Sequence, residues 1–230
     1  MSIILRTEVA TGDKDGEAIP ASITVLSSLN KEDREAVFRL RYEVYIAEQG
    51  KPYPEADHDR RMLSDPLDDE SEILAVKSNG AVVGTVRASW FDSPAIERHY
   101  PMFGVGQDFA IPRKNIGMAT RLVVDPRERG GTVTNAIFCT MYELAIEKQS
   151  MIFFASCNPK LIKFFQRYGF REFAQPYDDP VVGQLTRLVI LPYDISHLEL
   201  VRSPFLAIAR EKEILTNNGP NFDSLFKKEA

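Results

Sequence analysis

Hydrophobic and polar positions in the first third of the chain follow a strand pattern and then a helix pattern. The apolar run at 23–26 predicts a strand. Apolar side chains then recur at three- and four-residue intervals over 31–47, which predicts an amphipathic helix. Asn30 is a favourable N-cap for this helix, because its side chain can accept from a free backbone N–H. The polar stretch 1–21 contains glycines and a proline and is expected to be an irregular lead-in.

The rest of the pattern predicts strands interleaved with helices. A charged, proline-containing loop over 51–70 is expected to be functional or disordered, since connections of this length are uncommon in compact domains. Predicted strands lie at 73–77, 81–90, 118–124, 151–155, 170–174 and 185–192, and the first two form a hairpin that turns at 78–80. Predicted helices lie at 94–99, 133–148, 158–168 and 203–214.

The order of these elements predicts the fold class. Antiparallel strands come early and strand–helix alternation comes late, which is typical of an α/β (α+β) fold with a mixed, mostly antiparallel central sheet and helices on both faces. We expect one domain over 22–195, followed by a C-terminal helical extension and tail over 196–230.

Composition narrows the classes of function. The 230 residues carry a net charge of −5 with a pI of about 5.4. Nucleic acid and anionic membrane surfaces require a basic face, so neither is an expected partner. We see no signal-peptide pattern and no apolar stretch of the ~18 residues that a membrane span requires, and we expect a cytoplasmic protein. The two cysteines cannot form a disulfide framework and fit no zinc pattern.

Residues 121–132 contain the end of a strand, a basic glycine-rich turn and the start of a helix. This segment is the strongest indication of a ligand-binding site in the sequence. Such a turn directs free backbone N–H groups and the positive end of the helix dipole at one place. Gly130 and Gly131 let a phosphate approach the backbone, and Arg127 and Arg129 can add charge-assisted hydrogen bonds. The pattern favours a pyrophosphate or a phosphopantetheine ligand. The alternative is a plain connection with solvated arginines.

Two motifs in this half of the chain point to a family. The first is Arg127-x-x-Gly130-x-Thr132, and the second runs from Asn158-Pro159-Lys160-Leu161 to Tyr168-Gly169-Phe170. They resemble the glycine turn and the following donor-side helix of the GNAT superfamily of N-acyltransferases, with Thr132 in place of a smaller residue. The resemblance covers roughly 22–192.

The resemblance implies a GNAT-like acyltransferase domain that binds a pantetheine thioester. The residues it assigns to the donor are Val123, Val124, Arg127, Arg129, Gly130, Gly131, Thr132 and Asn158. Two structural interpretations stay open: Asn158 is also a suitable N-cap, and Tyr168-Gly169-Phe170 is also a C-cap turn with core aromatics.

The residues available for proton transfer differ from those of this family. An amine that attacks a thioester loses a proton, and the departing thiolate gains one. Many GNAT enzymes use a Glu and a Tyr for these steps, and the matching positions here are Met118 and Phe165. The usual base and acid are therefore missing, although a thiolate can leave unaided.

Four short motifs concern the acceptor: Arg41-Tyr42-Glu43-Val44, Glu55-Ala56-Asp57, Gly84-Thr85-Val86-Arg87 and Met118-Ala119-Thr120-Arg121. They are similar to motifs of acyl-homoserine-lactone synthases and the related N-acyl amino acid synthases, which take a fatty acyl chain from acyl carrier protein. The resemblance implies catalytic roles for Arg41, Arg87 and Arg121, with an arginine pairing the acceptor carboxylate. Since Met118 replaces the family's Glu, an N-acyl amino acid synthase fits better than a lactone synthase.

A structural interpretation of the three arginines is ion pairing with Asp57, Asp59 or Glu43, since such pairs are common. The segment Asp57-His58-Asp59 is a weak metal pattern in a chain with three histidines, and no metal site is expected.

The favoured function is transfer of a long acyl chain from acyl carrier protein or acyl-CoA to the amine of an amino acid or similar acceptor. No permanently bound cofactor is expected, because the thioester is a co-substrate. An ordinary acetyltransferase using acetyl-CoA and a non-catalytic acyl-thioester-binding module are the alternatives. A long chain needs an apolar tunnel, which five residues either line or fill: Ile152, Phe153, Phe154, Phe164 and Phe165.

Overall fold

The computed structural model of the chain describes residues 4–8, 22–105 and 109–226. Its strands are β1 (Ile4–Glu8), β2 (Ser22–Leu26), β3 (Ala56–Asp57), β4 (Met62–Leu63), β5 (Glu72–Ser78), β6 (Ala81–Trp90), β7 (Ile116–Val124), β8 (Ile152–Cys157), β9 (Arg171–Glu172), β10 (Tyr177–Asp179) and β11 (Gly183–Ile190). Its α-helices are α1 (Lys31–Tyr42), α2 (Thr132–Glu147), α3 (Ile162–Gln166), α4 (Ile195–Leu200), α5 (Phe205–Glu211) and α6 (Phe222–Phe226).

The chain divides into two compact units, Met1–Arg87 with Arg121–Thr140 and Ala88–Thr120 with Met141–Ala230. Neighbouring strands follow the order β1-β2-β5-β6-β7 in the first unit and β7-β8-β11-β10 in the second, where β9 also pairs with β11. Strands β7 and β8 are parallel, whereas β2 is antiparallel to β1 and β5, and β11 is antiparallel to β8, β9 and β10. The mixed, mostly antiparallel sheet with helices confirms the predicted fold class.

Helix α1 in the first unit forms where the sequence predicts it. The Asn30 side chain accepts from the Asp33 N–H at 2.8 Å, which is the predicted N-cap. After Tyr42 the backbone continues as a π-helix over Glu43–Glu48, a rare form that is often found at functional sites. The apolar side of this helical segment packs against strands β5 and β7, placing its side chains in the core.

The predicted hairpin is also confirmed, as strands β5 and β6. Asn79 and Gly80 both have positive φ, 49° and 81°, the backbone that a two-residue primed turn requires. Strand β7 begins two residues before its predicted start of 118 and runs to Val124 as predicted. This strand supplies Arg121 and leads directly into the glycine turn.

One expectation about an irregular segment differs from the structure, and for a second the structure excludes one of two alternatives, disorder of the loop 51–70. Strand β1 lies within the expected lead-in 1–21, because β2 offers an edge with which it pairs; the rest of that stretch lies outside the described residues. The loop 51–70 contains β3, β4 and a 3₁₀ turn at Pro66–Asp68, and it supplies buried acidic residues. The predicted domain boundaries at 22 and 195 stay predictions.

In the second unit, β8 is buried on both faces, as its unbroken apolar run predicts. The helix predicted over 158–168 is shorter, because a 3₁₀ turn at Pro159–Leu161 precedes α3. Gly169 has a φ of +105°, and a Cβ there would lie 2.6 Å from Leu198 Cδ2, so this turn requires glycine. No helix among the described residues combines the length and apolar character needed to cross a membrane.

Other elements of the second unit are shorter or less regular than predicted. The segment Pro94–His99 is a 3₁₀ helix rather than an α-helix. The strand predicted over 170–174 contains only β9, and the helix predicted over 203–214 is α5. Helix α5 packs through Phe205, whose ring stacks on Tyr142 at 4.4 Å.

Candidate active site

Three arginines and two aspartates form a buried ion cluster in the first unit. Asp68 Oδ1 accepts from Arg41 Nη1 at 2.8 Å and from Arg87 Nη1 at 3.1 Å. Asp65 Oδ1 accepts from the same Arg87 nitrogen at 2.6 Å. Asp65 Oδ2 accepts from Arg121 Nη2 at 2.7 Å and from Arg121 Nε at 3.2 Å. The structure therefore brings together the three arginines that the sequence singled out.

The 3₁₀ turn at Pro66–Asp68 presents both carboxylates of this cluster. Asp65 and Asp68 form a capping box, in which Asp65 accepts from Leu67 N–H at 3.0 Å and Asp68 Oδ2 accepts from Asp65 N–H at 2.9 Å. Proline at the first helical position fixes the backbone of this turn. Hydrogen bonds to the backbone of this turn therefore hold both carboxylates in place, independently of the arginines.

Electrostatics favour the ionised form of Asp65. Burial alone would raise the pKa of Asp65, but the charges and hydrogen bonds of Arg87 and Arg121 lower it to about 2. Burial lowers the pKa of Arg41, against the attraction of Asp68, yet a guanidinium remains protonated in proteins. Three cations and two anions leave one net positive charge in the cluster.

The arginines of the cluster differ in access. The side chain of Arg41 is fully buried, that of Arg87 is 4% exposed and that of Arg121 is 12% exposed. Arg41 Nε and Nη2 are buried with no hydrogen-bond partner among the described residues. Arg121 Nη1 makes no hydrogen bond within those residues either, but it is not enclosed as Arg41 is. Arg121 is therefore the most exposed arginine of the cluster.

Arg121 also has an unusual backbone. Its φ is +55°, a left-handed conformation that is uncommon for a side-chain-bearing residue within a strand and costs roughly 1–3 kcal/mol. Its guanidinium lies 4.3 Å from the centre of the Tyr53 ring and 6.0 Å from that of Tyr45. Tyr45 donates to the Leu122 carbonyl at 3.2 Å, and burial raises its pKa. Such strain commonly occurs at functional sites.

The three arginines do form structural ion pairs, but with Asp65 and Asp68 rather than with the predicted partners Asp57, Asp59 or Glu43. Glu43 instead pairs with Arg61, and Asp57 accepts from the Arg60 N–H at 2.9 Å. Sequence reasoning missed Asp65 and Asp68, although the spacing Asp65-Pro66-Leu67-Asp68 is itself a capping signal. It also missed the two tyrosines beside Arg121.

The glycine turn lies between β7 and α2 in the first unit. Asp125 starts it by accepting from the Arg127 N–H at 2.9 Å. Gly130 has a φ of +75°, and a Cβ there would have no atom within 4 Å, while one on Gly131 would meet only the Glu128 carbonyl oxygen at 4.0 Å. Helix α2 begins at Thr132, and its first N–H groups lack helical partners. The turn is open in the way that anion binding requires.

Both arginines of this turn already contact carboxylates. Arg127 donates to Asp125 from Nε at 3.0 Å and from Nη2 at 2.7 Å, and Arg129 donates to both oxygens of Glu48 at 2.6 Å. The hydrogen bonds from Arg129 lower the pKa of Glu48. A phosphate at this turn would have to share or replace these partners. Their predicted donor role stays a prediction.

The side chains of the two valines assigned to the donor lie in the core. Val123 packs in a buried cluster with Leu40 and Val44. Val124 is 8% exposed, and its carbonyl accepts from Arg129 Nε at 3.3 Å. Any donor contact from either valine would therefore use the backbone.

Asn158 lies in the second unit, directly after β8. Its Oδ1 accepts from the Lys160 N–H at 3.0 Å, so the N-cap interpretation describes this oxygen correctly. Its amide nitrogen makes no hydrogen bond within the described residues, which leaves two donors for a ligand. The predicted donor contact is chemically available and stays a prediction.

The residues at the family's acid and base positions are apolar core residues of the second unit. Met118 is fully buried and pairs with Phe154 across β7 and β8. Phe165 is 4% exposed and packs edge-on against Phe170 at 5.3 Å. Ile152, Phe153 and Phe154 are at most 1% exposed. These side chains fill space in this structure rather than line an open tunnel.

No group of three or more His, Cys, Asp or Glu side chains suited to a metal ion occurs in the part of the chain that the structure describes.

Comparison with known proteins gives one family match by sequence. Residues 36–191 match the model of the family described as N-acyl amino acid synthase FeeM. The matched residues include the glycine-turn motif at 127–132, the second motif at 158–170 and all three clustered arginines. No protein among the curated proteins matches the sequence.

Solved structures similar to this chain include FeeM, an N-acyl amino acid synthase from uncultured soil microbes. FeeM is 12% identical, with a TM-score of 0.62 over 82% of this chain and 97% of FeeM. TofI, solved in a ternary complex with an inhibitor and MTA, is 16% identical, with a TM-score of 0.61 over 80% of this chain and 98% of TofI. BjaI, a CoA-dependent acyl-homoserine lactone synthase solved with SAM and isopentyl-CoA, is 19% identical, with a TM-score of 0.58 over 90% and 98%. At these identities the likeness establishes the fold.

Proposed function

Because the chain belongs to the FeeM family of N-acyl amino acid synthases and is an N-acyltransferase, we propose that it joins a long acyl chain to the amine of an amino acid. The donor is a pantetheine thioester, carried by acyl carrier protein or by coenzyme A. The acceptor is a small amine that also bears a carboxylate.

The net charge of the arginine cluster carries this proposal. Its single excess positive charge would be neutralised by one further carboxylate. Arg121 is positioned to bind it, because Asp65 occupies only the edge of the guanidinium formed by Nε and Nη2. The edge that includes Nη1 is left for a second carboxylate, and such charge-assisted contacts are strong and directional. Arg41 and Arg87 are too deeply buried for this task and act by holding Asp68 and Asp65.

The chemistry consists of attack by the acceptor nitrogen on the thioester carbon, followed by departure of the thiolate. The C–N bond forms and the C–S bond breaks, and the proton that the nitrogen releases is balanced by the one that the departing thiolate gains. Asp65 is a poor base for this proton because its pKa is held at about 2. Its role is to orient Arg121, while the acceptor must arrive as the neutral amine. Binding the acceptor carboxylate then supplies the orientation on which the rate depends.

A basic surface in the second unit supports a carrier protein as the donor's partner. Lys160, Lys163 and Arg167 are exposed on and around α3 and form no ion pair with the described residues. Leu161 lies among them and is 47% exposed. A basic face with an exposed apolar residue suits an acidic partner, since charge guides the encounter and the apolar residue adds contact area.

A short-chain donor is the second candidate. Phe154 is fully buried, and the Phe103 ring stacks on it at 4.7 Å, so aromatic side chains occupy the face of β8 where a long chain would lie. An acetyl group needs no such space. Acetyl-CoA would then be the natural donor.

The test is a search for products with each donor. The protein is incubated with a mixture of amino acids and, separately, with acetyl-CoA, a long-chain acyl-CoA or a long-chain acyl carrier protein. We expect mass spectrometry to detect N-acyl amino acids with a long-chain donor. Acetylated product alone would support the second candidate, and no product from any donor would contradict both.

A further inference from the structure

Strand β7 departs from extended backbone at Arg121. The φ of this residue, +55°, is a left-handed value that residues with a side chain adopt rarely. Such a conformation persists only where the surrounding structure determines it at several points. The contacts of Arg121 and of the two residues that follow it therefore identify what holds the strand in this shape.

One of these contacts comes from the side chain of Tyr45. Its hydroxyl donates to the carbonyl of Leu122, the residue directly after Arg121, at 3.2 Å. Burial raises the pKa of this hydroxyl, so it keeps its proton at neutral pH and remains a hydrogen-bond donor. The same property makes it a poor base for the acceptor amine. Its contribution is to fix the orientation of the carbonyl one residue beyond the left-handed position.

The helical segment that carries Tyr45 is itself anchored. Tyr45 lies in the π-helix Glu43–Glu48, and its carbonyl accepts from the Lys51 N–H at 2.8 Å. Val44, one residue earlier, belongs to the same buried cluster as Val123 of β7. The strand is therefore held by the π-helix at two successive positions just after its left-handed residue, by a hydrogen bond at the first and by apolar packing at the second.

The side chain of Arg121 is held at its other end. Asp65 Oδ2 accepts from its Nε and Nη2, and the guanidinium carbon lies 4.3 Å from the centre of the Tyr53 ring. These contacts fix the guanidinium, whereas the hydrogen bond from Tyr45 fixes the backbone from which the side chain starts. A rotation of that backbone would turn the Cα–Cβ bond and move the guanidinium relative to Asp65. The direction of the edge with Nη1 therefore depends on both ends.

We propose that Tyr45 is a positioning residue for the acceptor carboxylate. Its hydroxyl holds the backbone of β7 so that the Nη1 edge of Arg121 faces the place where this carboxylate binds. Tyr45 acts through Arg121 and is assigned no contact with the acceptor. The inference rests on the proposed acyltransferase function and adds to it a residue that determines the preference for an acceptor with a carboxylate.

The test uses Tyr45→Phe, which keeps the ring and removes only the hydroxyl. KM and kcat are measured for one amino acid and for its carboxamide at a saturating long-chain thioester. We expect KM for the amino acid to rise roughly fivefold, the effect of one lost hydrogen bond. Use of the carboxamide and KM for the donor should not change, so the preference for the amino acid should fall by the same factor.

Tyr142→Phe is the matched control, in the second unit. The Tyr142 hydroxyl also donates to a backbone carbonyl, that of Pro192, at 2.8 Å. Both variants should therefore lose some stability in urea, because each loses a hydrogen bond of the same kind. Only Tyr45→Phe should change the preference for the amino acid. An equal fall in both variants would overturn the proposal, since a general loss of stability would then explain it.

A double variant tests whether Tyr45 acts through Arg121. In Arg121→Gln the carboxylate contact is already removed, so adding Tyr45→Phe should not raise KM for the amino acid further. A further rise would show that Tyr45 acts independently and would overturn the proposal. A Tyr45→Phe protein that does not fold would overturn it too, because the hydroxyl would then serve the fold as a whole.

The same measurements separate this inference from the function on which it rests. An unchanged preference in folded Tyr45→Phe would overturn the role of Tyr45 and leave the acceptor site at Arg121 standing. No preference for the amino acid in the unaltered protein would contradict that acceptor site, and the role of Tyr45 with it.

Discussion

Arg121 donates two hydrogen bonds to a single carboxylate oxygen of Asp65, from Nη2 at 2.7 Å and from Nε at 3.2 Å. The contact joins strand β7 to a loop residue 56 positions earlier in the chain. It fixes the plane of the guanidinium and leaves the edge with Nη1 unoccupied. The proposed acceptor site follows from this geometry, because a second carboxylate has one suitable place to bind.

Arg121→Lys is expected to impair use of the acceptor. Lysine keeps the positive charge but loses the planar fork that contacts two carboxylates at once. Losing a hydrogen bond between charged groups costs roughly 1.5–3 kcal/mol, so kcat/KM for the amino acid should fall about 10- to 100-fold. Steady-state kinetics at saturating donor measure the change. Arg39→Lys, at an exposed pair with Glu35, is the control and should behave as the unaltered protein; equal kinetics for both variants would exclude Arg121 from the acceptor site.

Asp68→Asn is expected to destabilise the protein strongly. Arg41 is fully buried, and Asp68 is its ion-pair partner at 2.8 Å, so the change leaves a buried cation without compensation. Breaking such a pair costs about 3–5 kcal/mol in the free energy of unfolding. The neighbouring Asp69→Asn removes an 83% exposed partner of Arg34 and should cost at most about 1 kcal/mol. Urea unfolding of the two variants measures the difference, and similar values for both would show that the cluster does not stabilise the fold.

Arg129→Gln and Glu48→Gln together test the donor site. If Arg129 binds a donor phosphate, Arg129→Gln should raise the Kd of the CoA thioester about tenfold, because a charge-assisted contact is lost. Glu48→Gln should leave that Kd equal or lower, since it removes the carboxylate that now occupies the guanidinium. Isothermal titration with acyl-CoA measures both. A purely structural pair would instead give two variants with reduced stability and unchanged donor affinity.

The ionisation of Asp65 makes part of the stability depend on pH. Its pKa in the folded protein is about 2, below its ordinary value of 3.8, so the folded state favours the carboxylate. This stabilisation is fully present above about pH 4 and is lost as the pH falls toward 2. The free energy of unfolding should therefore differ between the unaltered protein and Asp65→Asn above pH 4, and the difference should shrink below it. A difference that stays constant from pH 6 to pH 2.5 would contradict the assignment.

Much of the fold was predictable because its signals are local. The helix after Asn30 was predicted from apolar spacing and one capping residue, and the hairpin at Asn79-Gly80 from a turn that needs two positive φ angles. The buried strand β8 was predicted from an unbroken apolar run. Each of these depends on side chains within a few residues of one another, which a single sequence displays.

The candidate site was predictable only in part, because its contacts are distant in sequence. Arg41, Arg87 and Arg121 were singled out by motif resemblance, but their partners Asp65 and Asp68 lie in a loop that no apolar pattern describes. Two-residue strands such as β3 exist only through tertiary pairing, so local propensity does not predict them. The Glu48 partner of Arg129 was missed for the same reason, since it lies 81 positions earlier in the chain.

Removing the acceptor carboxylate tests most directly whether Arg121 binds it. We would measure kcat/KM for one amino acid and for its carboxamide, with the unaltered protein and with Arg121→Gln, using the same long-chain thioester. We expect the unaltered protein to prefer the amino acid by at least about tenfold and Arg121→Gln to reduce this ratio to near one. Equal use of the amino acid and the carboxamide by the unaltered protein would contradict it.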